Sequence, residues 1–103
     1  MRLERHADHW RLIGGPVPPG YAAITVGPVI SVRRHRASDA ALLRHELVHV
    51  LQWRALGAAR FVARYAGAYL RWRLRGYPHR GAYRRIPLEV EAVWWARRGT
   101  AGD

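Results

Sequence analysis

Apolar positions along this chain follow two different periods, and the switch between them marks out the elements. Tyr21-Ala22-Ala23-Ile24-Thr25-Val26 and Val29-Ile30-Ser31-Val32-Arg33 are rich in β-branched residues and flank Gly27-Pro28. That pattern predicts a β-hairpin over 21–33. From Ala40 to Trp53 the chain has no Gly or Pro and is rich in Leu and Ala, which predicts a helix over 39–56. Ser38 or Asp39 would cap its start and Gly57 would end it. Leu43, Leu47, Val50 and Leu51 form the expected core stripe, and Leu42 extends apolar character toward the neighbouring face. A second helical pattern covers 58–75, where Phe61, Tyr65, Tyr69 and Trp72 share one face and Arg60, Arg64, Arg71 and Arg75 trace the next. A third helix is expected over 87–98, with Pro87 in its first turn and Gly99 as its stop.

Between these elements, 14–20 and 76–81 read as loops from their Gly and Pro content. Residues 1–13 have no clear period, so a first strand and a frayed arm are both open. The order of elements predicts an α+β fold, a small sheet or hairpin packed on helices, in one domain over 1–103.

Composition changes this picture in two ways. Cysteine is absent, so disulfides and thiolate metal ligands are ruled out, and any metal must be held by His, Asp or Glu. All 18 basic residues are Arg and face only seven acids, giving a net charge of +11. Such a surface attracts anions, and the basic stripe on the second helix could lie along nucleic acid or an anionic membrane. The plainer reading puts its aromatic face in the core and its arginines in water, because a small domain needs those rings inside. The N-terminal decapeptide lacks the apolar centre of a signal peptide, and no run approaches the ~18 apolar residues of a membrane span. A cytoplasmic protein is the expectation.

The chemistry concentrates in His45-Glu46-Leu47-Val48-His49, an H-E-x-x-H sequence inside the first predicted helix. Four residues is about one helical turn, so the two imidazoles stack on one face and can grip a single Zn2+ ion. Glu46 projects about 100° away, placed to take a proton from a zinc-activated water as general base without being a ligand. His6 and His9, three apart, could also suit a metal, but a solvated terminus is the better reading.

Catalytic zinc needs a third protein ligand. Gln52 and Ala55 stand where an extended H-E-x-x-H-x-x-G-x-x-H sequence would have Gly and His, so that source fails. Glu89, Glu91, His79, His35 and the terminal acids remain. Glu89 and Glu91 would point about 200° apart on a helix, so only one faces a metal readily.

His45-Glu46-Leu47-Val48-His49-Val50-Leu51-Gln52, the aromatic and Arg-rich helix, and Tyr83-Arg84-Arg85-Ile86-Pro87-Leu88-Glu89-Val90-Glu91-Ala92 together resemble the small gluzincin-type metallopeptidases, or minigluzincins. The resemblance spans roughly residues 21–98. It implies a zincin-like minimal domain whose third ligand is a later-helix glutamate, commonly within E-x-x-A-D, which Glu89 and Ala92 match. Val93 stands where that family has an aspartate supporting a zinc-bound histidine, so here the histidines must find other partners, such as backbone carbonyls.

The expected activity is hydrolysis of peptide bonds in a peptide or protein substrate. Tyr83, Tyr77 and His79 are candidate donors to the oxyanion or substrate. The hairpin edge near Val29–Arg33 would pair with an extended peptide, as the resemblance implies. Two other readings are a zinc-binding domain without turnover and a basic module for nucleic acid or anionic membrane.

Overall fold

The structure, a computed structural model, describes the backbone of residues 1–102 and the side chains of residues 1–98. Four short strands, β1 (Arg2–Arg5), β2 (Trp10–Ile13), β3 (Ala23–Val26) and β4 (Val29–Val32), form one mixed sheet in the order β1-β2-β4-β3. The hairpin predicted over 21–33 is present as β3–β4, with Val26 opposite Val29 and Gly27 turning the chain at φ 57°. The first 13 residues hold two strands, β1 and β2, joined by a short turn. β1 and β2 pair antiparallel, and β2 then runs parallel to β4, with Ile13 beside Val32. β4 is therefore flanked on both sides, and the free edge nearest the helices is β3.

His9 is not part of a solvated terminus. It is buried, stacked on His6, and held between Asp8 at 2.7 Å and the Arg11 guanidinium at 3.0 Å. Arg33 is likewise tied down. Its guanidinium donates to the carbonyls of Val17, Pro18 and Tyr21, while Ser31 Oγ donates to the Pro16 carbonyl. These bonds fasten the Gly/Pro-rich loop of 14–20 over one end of the sheet.

Helix α1 (Ala40–Leu56) starts on Asp39, whose carboxylate accepts from the Leu42 backbone N–H. It ends at Gly57, whose φ of 78° suits a residue without Cβ. Leu43 and Val50 pack with Ile13, Ala23, Ile30 and Val32 to make the core between α1 and the sheet. Leu51, expected in that core, is 52% exposed. The sheet takes the face of Leu43 and Val50, and α4 takes the face of His49 and Gln52. The side carrying Leu51 is left open.

Helix α2 (Ala58–Leu74) turns its aromatic face inward: Phe61 is buried and Tyr65, Tyr69 and Trp72 are half-buried. The stretch read as a loop over 76–81 is a loop only to Pro78. His79–Arg84 form a short helix, α3. Gly81 serves packing there, because a Cβ at that position would stand 3.3 Å from the Tyr77 ring.

Helix α4 (Pro87–Gly102) begins as predicted but runs through Gly99, since one Gly costs a helix only about 1 kcal/mol. Its buried stripe is Glu89, Ala92 and Ala96. Two alanines bring α4 close to α1, and they bring a carboxylate with them.

Candidate metal centre

Three side chains from two helices converge at one point. His45 and His49 project from adjacent turns of α1, with ring centroids 4.9 Å apart. Glu89 arrives from the first turn of α4, and its Oε1 lies 3.0 Å from His45 Nε2 and 3.1 Å from His49 Nε2. One donor atom from each of the three lies within 4.8 Å of the others. His49 and Glu89 are each 5% exposed. A buried carboxylate against two imidazoles is costly to desolvate unless something binds it tightly.

The supporting contacts fix the orientation of these groups. His49 Nδ1 is 2.8 Å from Gln52 Oε1. The Gln52 amide nitrogen donates to the Leu88 carbonyl and to Glu91 Oε1, both at 2.9 Å. Two acceptors on that nitrogen settle which way the amide points, so Gln52 Oε1 accepts from His49 Nδ1–H and leaves Nε2 to face Glu89. The glutamine performs for His49 what a carboxylate partner performs for a metal-bound histidine. Glu89 Oε2 accepts from the Tyr65 hydroxyl at 2.5 Å. Tyr65 thus holds one oxygen while the other meets the imidazoles.

Glu46 is buried on the adjacent face of α1, 5% exposed. Thr25 on β3 donates to its Oε2 at 3.0 Å and also reaches its backbone carbonyl at 3.3 Å. A cavity of about 310 Å³ joins Glu46, His49 and Glu89 to Tyr21, Ile24, Tyr65 and Tyr83. Tyr83 is thereby placed at the cluster. His79 is set apart, its ring held between the hydroxyls of Tyr21 at 2.8 Å and Tyr69 at 2.9 Å. Tyr77 packs elsewhere, against Trp72 and under the Arg85 guanidinium.

Of the other candidate ligands, His35 lies exposed in a single 3-10 turn over Arg34–Arg36. Glu4 and Asp8 are engaged with Arg2, His6 and His9. Asp103 lies outside the described residues.

The charges respond to this setting. Burial raises the pKa of Glu46, and the two nearby imidazoles only partly offset it. Burial also acts to raise Glu89, but hydrogen bonds from His45, His49 and Tyr65 overcome it and hold the carboxyl well below the ordinary range. For His49, burial works against the charged ring, yet Glu89 prevails and its pKa is raised. Burial, then the charge of Glu89, pushes Tyr65 and Tyr83 well above the ordinary phenol value, so both are firmly protonated donors.

Thr25, Gln52 and Tyr65 were not singled out by sequence as site residues. Gln52 had a local signal, since it lies three residues after His49 and so shares its face. Thr25 and Tyr65 had none that separates them from ordinary strand and core residues. No protein-family model matches the sequence, and neither a curated protein nor a solved structure matches it.

Proposed function

We propose that this chain is a zinc-dependent peptidase of gluzincin type, built on a minimal zincin-like domain. The observation that carries this reading is the convergence of His45, His49 and Glu89 within 4.8 Å, with the Glu46 carboxylate buried alongside. Two imidazoles and a carboxylate are a ligand set of catalytic zinc. The fit is supported by the tautomer that Gln52 imposes on His49 and by Tyr65 holding the far oxygen of Glu89.

Bound at these residues, zinc would supply a Lewis acid and lower the pKa of a water toward neutrality. The protein's own groups carry the remaining steps. Glu46, with a pKa raised by burial and oriented by Thr25, takes the proton from water and returns it to the leaving amine. The protonated Tyr83 hydroxyl donates to the developing oxyanion. An extended substrate pairs its main chain along β3, the free edge bordering the cavity through Ala23, Ile24 and Thr25. That edge replaces the one expected near Val29–Arg33, because β4 is already paired on both sides.

The direct test is element-resolved metal analysis of the purified chain, with hydrolysis of a mixed peptide pool measured before and after chelation. About one zinc per chain, and peptide cleavage lost on chelation and restored by zinc, is the expected result. Metal-free protein that takes up no zinc overturns the proposal.

Gln52→Ala should weaken zinc binding by about 10–100-fold, as loss of a ligand's hydrogen-bond partner does elsewhere. Competition against a chromophoric chelator measures it, and unchanged affinity would remove Gln52 from the site.

A further inference from the structure

Between α1 and α4, on the side of α1 that carries Leu51, lies an apolar groove of about 700 Å³. Leu47, Val48, Leu51, Ala55, Leu88 and Trp95 line it, and Arg44 and Arg64 stand in its walls. Across Trp95 the groove continues into a shallower depression with Val90, Trp94 and Arg85. Leu51 and Val90 are each 52% exposed, Trp94 is 49% exposed and Trp95 53%. Exposed apolar surface that is continuous and rimmed by charge marks a place where something binds.

Charge says what that partner is. Arg97 and Arg98 follow the two indoles on α4 and are exposed, and the Arg98 guanidinium lies 4.5 Å over the Trp94 ring. The acid among the lining residues, Glu91, already accepts from Gln52. The chain as a whole carries +11.

We propose that this face docks on an anionic lipid bilayer. Trp94, Trp95, Leu51 and Val90 enter the boundary between headgroups and acyl chains, and the exposed Arg64, Arg97 and Arg98 reach the lipid phosphates. Indoles favour that boundary, and long arginine stems lie along apolar surface while their heads stay in the polar layer. Nucleic acid would satisfy the arginines and the indoles but leave the aliphatic groove without a partner. A second copy would set one arginine rim against another across a two-fold axis, with +11 on each side.

No helix among the described residues is long and apolar enough to cross a membrane, so this attachment is peripheral. Leu51 and Ala55 lie about 140° and 180° around α1 from Glu46. These two groove residues therefore lie on the far side of α1 from Glu46. The inference does not depend on the peptidase reading.

The test is co-sedimentation of the full chain with vesicles of phosphatidylcholine alone and of phosphatidylcholine mixed with phosphatidylglycerol. Tryptophan emission is followed on the mixed vesicles, with and without lipids brominated on the acyl chain. Binding should require the anionic lipid, weaken steeply with salt, and bring tryptophan within quenching range of the bromines. The double variant Trp94→Ser, Trp95→Ser should bind at least roughly tenfold more weakly, because two indoles no longer leave water.

Equal binding to both vesicle types, or none to either, overturns the proposal. So does wild-type emission that the bromines do not quench, a readout that needs no variant to fold. Tight DNA binding in place of vesicle binding would reassign the face to nucleic acid. A dimer lost in the double variant would reassign it to a second copy.

Discussion

Glu46→Gln is expected to keep near one zinc per chain while its hydrolysis falls by about 10²–10⁴-fold, the usual contribution of a positioned general base. The two halves of that outcome have separate causes. His45, His49 and Glu89 form the cluster that would hold the ion, and Glu46 stands beside it against Thr25. An amide can still accept the Thr25 hydrogen bond, so the local structure has no reason to change.

The amide cannot carry the proton, so turnover goes. It also relieves the burial of a charge, and the variant should be at least as resistant to urea as the parent. In the parent, Glu46 must be ionised to act. kcat/KM should therefore fall on the acid side of its pH profile as the carboxylate takes up a proton. Hydrolysis that survives the substitution unchanged would remove Glu46 from the mechanism.

Glu89→Ala is expected to abolish stoichiometric zinc. The loss should exceed the 10–100-fold that a supporting residue costs, because a donor atom itself is removed. The metal-free protein provides an independent readout through pH. Glu89 is held below its ordinary 4.5, so its contribution to stability is present above that pH and is lost as pH falls through the lower, folded value. His49 is held above its ordinary 6.5, so its contribution is complete below that pH and is lost as pH rises through the higher, folded value.

The pair therefore stabilises the metal-free fold most between the ordinary values of 4.5 and 6.5. Urea midpoints of metal-free parent and variant should differ most in that window and converge on either side. Zinc competes for the same imidazole, so its affinity in the parent should fall as His49 takes up its proton. Identical midpoint profiles for parent and variant would show that the Glu89–His49 contact contributes nothing in solution.

Much of this was legible in the chain because it is local. A helix from Asp39 to Gly57 follows from a cap, an apolar run and a glycine. Two histidines four apart must then share a face whatever else the protein does. The hairpin follows from β-branched runs about Gly27-Pro28, and the last helix from Pro87 onward. Glu89 was singled out by residue type and by resemblance, and its burial between Ala92 and α1 comes from the packing of α4.

What the tertiary structure alone decided lies across long separations. Glu89 meets His45 and His49 over 44 and 40 residues, and Tyr65 meets Glu89 over 24. Such contacts depend on how helices cross, which periodicity within one helix does not encode. Glu91 illustrates it: helix geometry turns it away from the metal, and only the docking of α4 on α1 lets it act through Gln52. The same docking leaves Leu51 exposed, while the pairing of β4 with both β2 and β3 leaves β3 as the open edge beside the cavity. Sequence determined which side chains each element presents; the packing of α1, α4 and the sheet determined which of them meet, because that choice follows from burying all the apolar faces at once.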